Sequence, residues 1–355
     1  PLCLLLLLQA LVPSWSFAVE VGGLYQTEQV VVSRDDERER NRAFTRGLAD
    51  VLLKLSGRQQ TLNAPAVKQA MQTPQSYVEG WAYQTRTSAI AGEPAQLILQ
   101  ISYFQPQIQR VLEDAGIPLW PANRPETLIW VVVQDELGER KLAEPLGEEA
   151  ELYAAMQAVA DQRALPLQLP LMDLEDRFNL SPDKAWIADQ DALLAASKRY
   201  GIDSVLSVRL FRTLTGETFA KASYYFRDTS LVLEDFEQTE SQFLTSSVNM
   251  VAEELVDTFA VRISGVDNGT RVNLAVSGVR KIADYANLLT YLRNLAVVTD
   301  VQVLAVDGED ITLQLKTGGQ LRQLMETLSL ETTLQQLSEP MRSGQEFAIR
   351  YAWQS

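Results

Sequence analysis

Histidine is absent, and cysteine occurs once, as Cys3. Without histidine there can be no Ser-His-Asp triad, no imidazole metal cluster and no side chain whose ordinary pKa lies near neutrality. Cys3 falls in an N-terminal segment expected to be removed. The mature chain is therefore expected to carry no disulfide, no thiolate metal site and no cysteine nucleophile. Basic charge is also scarce: 31 Lys and Arg stand against 46 Asp and Glu, a net charge of -15. Binding nucleic acid requires a basic footprint that releases counterions from phosphates. The longest charged run, Arg34 to Arg42, mixes signs and reads as a solvated helix face. Nucleic acid and anionic membrane surfaces are excluded as expected partners. Uninterrupted apolar runs stay short of the roughly 20 residues that a spanning helix needs. A P-loop, a G-x-S-x-G elbow and a G-x-G-x-x-G following a strand are missing as well.

What is present begins with a leader. Leu2 to Val12 is apolar, and Ser16-Phe17-Ala18 fits a small-residue cleavage site. This predicts a signal peptide over 1–18, export, and a periplasmic location. Cys3 stands at the head of the apolar run rather than at a cleavage point after it, so a lipid anchor is not expected.

Three units follow, over 19–120, 126–264 and 270–355. In the first, Leu24 to Val32 reads as a strand. Asp35 to Leu55 reads as a helix, with Phe44, Leu48, Val51, Leu52 and Leu55 recurring at three and four. Gly57 is its expected stop. A short helix from Ala64 to Met71, strands at Tyr77 to Thr85 and Leu97 to Phe104, and a helix from Pro106 to Ala115 complete the unit. Pro118 to Pro125 carries three prolines and is the expected linker.

The second unit opens with Leu128 to Val133, a continuous apolar run suited to a strand covered on both faces. A helix from Glu148 to Arg163, a strand from Pro166 to Leu171, a loop over Met172 to Arg177, a helix from Asp189 to Tyr200 and a strand from Ile202 to Arg212 predict a mainly parallel sheet. A hairpin over Phe219 to Phe236 and a helix from Glu240 to Arg262 close the unit. Gly265 to Thr270 is a turn-rich break. In the third unit Val272, Leu274 and Val276 alternate as in a strand, and Ile282 to Leu295 reads as a helix. Strands at Val301 to Val306 and Ile311 to Lys316, a helix from Leu321 to Leu337 and a strand from Phe347 to Trp353 follow. The order β-α-β-β-α-β is ferredoxin-like. The expected class is α/β and α+β.

Several stretches resemble a known family. Leu24-Tyr-Gln-Thr-Glu28, Val51-Leu-Leu-Lys-Leu-Ser-Gly57, Leu169-Pro-Leu-Met-Asp-Leu-Glu-Asp176 and Arg199-Tyr-Gly-Ile-Asp-Ser-Val205 resemble an uncharacterised bacterial secreted family, the domain of unknown function numbered 2066. That resemblance implies no catalytic residues. The middle unit more remotely resembles the α/β domain of envelope assembly proteins of the Tol, curli-secretion and penicillin-binding-protein-activator types. The first unit resembles the N-terminal domain of a flagellar T-ring protein. Those relatives imply action through protein partners, by analogy of fold alone.

Two constellations carry candidate chemistry. Asp173, Glu175 and Asp176, with Arg177, lie at the expected carboxyl end of a buried strand, where open α/β sheets place ligands. They read as a solvated capping loop, a partner or ligand loop, or oxygen ligands for a hard cation. The second set is Ser181-Pro-Asp-Lys184, Tyr285-Ala-Asn287 and Lys316-Thr-Gly318, which formally follows the three signatures of penicillin-recognising serine enzymes. Against that, Ser181, Pro182 and Asp183 read as an N-cap, a first-turn proline and a first-turn acid. The expected function is a non-enzymatic periplasmic interaction or scaffold protein for envelope assembly, without cofactor or metal, whose partners are envelope proteins. The alternatives are a serine acyl enzyme and a small-ligand binding module.

Overall fold

The computed structural model describes residues 18–87, 94–215, 217–235, 239–262, 270–295, 297–318, 321–331, 333–343 and 346–354. The expected leader, apart from Ala18, and nearly all of the break at 265–270 lie outside the described residues. Helices and strands are mixed throughout, so the class is α/β and α+β.

The N-terminal part contains β1 (Ala18–Glu20), β2 (Gln26–Val31), α1 (Glu37–Ser56), α2 (Pro65–Ala70), β3 (Val78–Arg86), β4 (Gln96–Tyr103) and α3 (Gln105–Asp114). Strands β2, β4 and β3 form an antiparallel sheet in that order. Asp36 starts α1 by accepting hydrogen bonds from the Arg38 and Glu39 N–H groups, satisfying donors that have no partner within the helix. Phe44, Leu48, Val51, Leu52 and Leu55 are buried, the face that their spacing predicts. Gly57 ends the helix at a φ of 63°, and a β-carbon there would overlap Val256 and Trp120.

Pro118 to Pro125 departs from the expected linker. It is a buried strap. Leu119 joins the N-terminal core, while Trp120, next in sequence and wholly buried, joins the core of the middle part. Leu119 also exchanges two backbone hydrogen bonds of 2.8 Å with Val261, a member of the C-terminal core. The strap ends in β5 (Asn123–Pro125), paired antiparallel with β1. Its prolines fix the backbone and withhold N–H donors, which leaves the segment free to be either exposed or packed. Burial of Leu119 and Trp120, at about 25 cal/mol per Å² of apolar surface, decides for packing.

The middle part contains β6 (Thr127–Gln134), β7 (Arg140–Leu142), α4 (Ala150–Arg163), β8 (Leu167–Gln168), α5 (Leu174–Asn179), α6 (Pro182–Trp186), α7 (Gln190–Ser197), β9 (Ser204–Arg212), β10 (Thr218–Phe226), β11 (Thr229–Asp235) and α8 (Glu240–Phe259). The sheet order is β11-β10-β9-β6-β7, with β8 also on β6. The sheet is mixed rather than mainly parallel: β6 runs parallel to β9 and β8, whereas β7, β10 and β11 pair antiparallel. The expected strand from Pro166 to Leu171 shrinks to two residues because Pro166 and Pro170 cannot donate to a ladder. Every residue of β6 from Thr127 to Val133 is buried. Ile129, Val131 and Val133 face α4 and α8, and Leu128, Trp130 and Val132 face α6 and α7. α8 opens with a capping box between Thr239 and Gln242 and ends at Phe259, short of Arg262.

The C-terminal part contains β12 (Thr270–Ser277), α9 (Ile282–Asn294), β13 (Val298–Asp307), β14 (Asp310–Thr317), α10 (Leu321–Leu328), β15 (Leu334–Gln336), β16 (Met341–Ser343) and β17 (Glu346–Trp353). The sheet order is β13-β14-β12-β17-β15, and the first and last long strands, β12 and β17, are adjacent and parallel. This is the split β-α-β arrangement, extended at β17 by two short strands. The expected helix from Leu321 to Leu337 stops at Leu328, and Leu334 to Gln336 turns back as a strand. Leu330 enters the middle core, and Gln323 donates to the Ala260 carbonyl, so this part is docked on α8.

Candidate functional site

The stretch from Met172 to Arg177 is not a loop. Asp173 is the N-cap of α5, and its Oδ1 accepts from the Glu175 and Asp176 N–H groups at 3.0 Å each. The same carboxylate takes a two-pronged contact from Arg199, at 2.6 and 2.8 Å. Hydrogen bonding by Arg199, and then by the helix N–H groups, holds the Asp173 carboxyl well below the usual carboxylate range. The Arg199 guanidinium is raised in return.

Asp176 is fully buried. Its Oδ2 accepts from the Met172 N–H at 2.8 Å and from the Tyr200 hydroxyl at 2.6 Å, and its Oδ1 accepts from Arg199 at 3.0 Å. Burial first, and then the bond to Asp176, push the Tyr200 hydroxyl up to about 12. The Met172 N–H bond also holds that residue at a φ of 55°, a left-handed conformation that a non-glycine residue adopts only under constraint. Arg177 donates to the Met172 carbonyl at 3.1 Å and to Glu144 at 2.6 Å, tying α5 to the connection between β7 and α4. Glu175 lies 3.7 Å from Arg199 and is more than half exposed.

The four expected site residues are therefore brought together, but around a protein cation. A divalent ion would have to displace Arg199 from Asp173 and Asp176 together. Among the described residues no group of three or more His, Cys, Asp or Glu is arranged to hold a metal ion. Beside these acids the corner also displays apolar groups: Leu171, Leu174 and Phe178 are largely exposed. Leu174 and Phe178, four apart on α5, share a helix face. Sequence reasoning missed Arg199 and Tyr200 as the partners of these acids. The signal was an Arg-Tyr pair in the single turn that follows α7.

The serine-enzyme set does not assemble. Ser181 Oγ accepts from the Lys184 N–H as the N-cap of α6, on the α6–α7 face of the middle sheet. Tyr285 packs on the C-terminal core, and Lys316 lies in β14. The C-terminal part docks through α10 and Leu330 on the opposite, α8-bearing side. The middle sheet therefore stands between Ser181 and the other two signatures.

Residues 18–121 match the family described as domain of unknown function (DUF8605). No curated protein matches the chain. Among solved structures, selenomethionine-substituted allophanate hydrolase of Kluyveromyces lactis aligns at 10% identity and a TM-score of 0.16, covering 78% of this chain and 66% of that one. A likeness at that level carries no argument about fold or activity. Among the described residues no helix is long and apolar enough to cross a membrane.

Proposed function

We propose that this chain acts by binding other proteins, as a non-enzymatic scaffold of the bacterial cell envelope that works in the periplasm. The observation that carries this reading is the corner at α5. Asp173 and Asp176 are engaged by Arg199, Tyr200 and the Met172 N–H, while Leu171, Leu174 and Phe178 are exposed. A catalytic or metal site keeps reactive groups turned toward an open position. Here Asp173 and Asp176 are already matched by a protein cation, and apolar groups are exposed beside them, as at a docking surface. The apolar leader, the absence of histidine and the family resemblance agree with the proposal.

The test is photo-crosslinking from position 178 in cells that make the full chain, with Phe178→Asp and Leu174→Asp as competing variants and fractionation to locate the product. A defined periplasmic adduct that the folded variants diminish supports the reading. Turnover of an envelope substrate by the purified chain, or stoichiometric labelling by a fluorescent penicillin lost in Ser181→Ala, would sink it.

A further inference from the structure

The carboxyl ends of β6 and β9 point the same way because the two strands are parallel. The β6–β7 and β9–β10 turns leave that end, the connection from the antiparallel β7 to α4 is tied to it where Glu149 bonds Arg212, and each of the three carries one exposed leucine. Leu137 in the β6–β7 turn is 90% exposed, Leu146 between β7 and α4 is 100% exposed, and Leu214 in the β9–β10 turn is 79% exposed. A single exposed leucine is ordinary, whereas three from separate turns at one end of one sheet need a reason.

These turns are built. Asp135 accepts from the N–H groups of Leu137 and Glu139, at 2.9 and 2.8 Å. Gly147 N–H donates to the Glu144 carbonyl at 3.0 Å. Thr213 exchanges bonds with Glu217 across the tip that carries Leu214. Beneath them Arg212, at the end of β9, forks onto Glu149 and Glu240 with bonds of 3.0 to 3.1 Å. That fork fastens the N-termini of α4 and α8 to the strand end. The leucines are thus displayed from a fixed frame, which lowers the entropy lost on binding.

The surroundings choose the partner. Residues 135–149 and 213–217 hold seven acids and two bases, a net charge of -5. Glu136, Glu139, Glu144, Glu148 and Glu217 are exposed. Both bases are engaged: Arg140 bonds Asp183, and Lys141 bonds Glu148. Apolar tips inside an acidic ring repel anionic lipid and a second copy of this acidic chain. They fit a protein face with an apolar centre and a lysine- or arginine-rich rim. Arg177, bonded to Glu144, sets α5 beside this end, so Leu174 and Phe178 flank the same surface.

We infer that the carboxyl end of the middle sheet, tipped by Leu137, Leu146 and Leu214, is the docking surface for a basic protein partner, an inference that rests on the scaffold reading and names the partner's chemistry. The test places a photo-crosslinking residue at 137, 146 or 214 in the full chain in cells, with position 178 as the reference for the scaffold reading and exposed position 68 as background. The expected result is one shared adduct from the three positions. Its contact peptide carries lysine or arginine around apolar residues, and Glu136→Lys with Glu217→Lys lowers the yield about 10-fold. An adduct with lipid or with a second copy, an acidic contact peptide, or a yield unmoved by charge reversal would overturn it. If 178 reacts above background while 137, 146 and 214 do not, the inference fails and the scaffold reading stands. If none of the four exceeds position 68, both fail.

Discussion

Arg124 is buried with no carboxylate bonded to it, whereas Arg199 lies partly open among three. The guanidinium of Arg124 makes five hydrogen bonds, all to backbone carbonyls: Pro121 at 2.8 Å, Arg163 at 2.9 Å, Ala164 at 2.7 Å, Lys54 at 2.8 Å and Trp120 at 3.1 Å. Its plane also stacks on Trp120, 3.9 Å from the ring centroid. Lys54 lies in the last turn of α1, and Arg163 and Ala164 end α4. Two helix C-termini, each with a partial negative charge and unsatisfied carbonyls, therefore converge on one cation. Arg163 adds to the junction by donating to the Gly57 carbonyl. Burial pulls the Arg124 guanidinium down to about 9, still protonated at neutral pH. Arg199 is satisfied instead by the formal charges of Asp173 and Asp176, with Glu175 at the edge. The contrast teaches that a buried cation can be matched by backbone carbonyls, three of them at helix ends and two in the strap, and that such a match joins elements far apart in sequence. The carboxylate match instead fastens one short helix to its neighbour.

Four changes would break or sharpen that contrast. The largest effect is expected for Arg124→Ala, which strands five carbonyls at the junction of two helices. The loss should be about 3–5 kcal/mol, read from the denaturant midpoint, with Arg124→Lys recovering only part because an ammonium lacks the planar fork. A loss under about 1 kcal/mol would mean that water replaces the guanidinium and that the strap is not the keystone. Next is Asp176→Ala, which leaves the Met172 N–H, the Tyr200 hydroxyl and one arm of Arg199 without their acceptor. It should cost about 1–3 kcal/mol, and hydrogen exchange should rise at 172–180 rather than at the strap.

The third concerns pH. The Asp173 carboxyl is depressed in the fold, so its contribution to stability is present above the unfolded pKa of about 3.9 and is lost as pH falls through the folded value. Stability of the parent chain should drop more steeply below about pH 4 than that of Arg199→Gln. Parallel curves would detach Arg199 from that depression. The smallest effect is expected for Glu175→Gln, within about 0.5 kcal/mol of the parent, because a mostly exposed carboxylate 3.7 Å from its partner is screened by solvent. A larger loss would promote Glu175 to a full member of the cluster.

Much of the local architecture was legible in the residues. Gly57 marked the end of α1, whose start was read at Asp35 where the cap is Asp36, Ser181 marked the start of α6, and Val272, Leu274 and Val276 marked a half-buried strand. These are short-range effects, decided within one turn or one pleat. The candidate site was half legible: the acids stood in one stretch, but their spacing could not reveal that Arg199 and Tyr200 fold back onto them. The three leucine tips were not legible, because each is a lone apolar residue in a polar turn, and only the parallel pairing of β6 with β9 and the Arg212 bonds to Glu149 collect them at one end.

By itself, the sequence determined that these 355 residues offer no imidazole, the mixed class of the fold and where most elements begin. Composition, side-chain periodicity and capping are properties of residues and their near neighbours. Only the tertiary structure decided that the proline-rich stretch at 118–125 is a buried keystone, that Asp173 and Asp176 are matched by Arg199, and that the middle sheet is mixed. Each of those outcomes depends on partners tens of residues away. The Lys54 carbonyl meets Arg124 only because α1 and α4 end side by side, and no local pattern encodes that meeting.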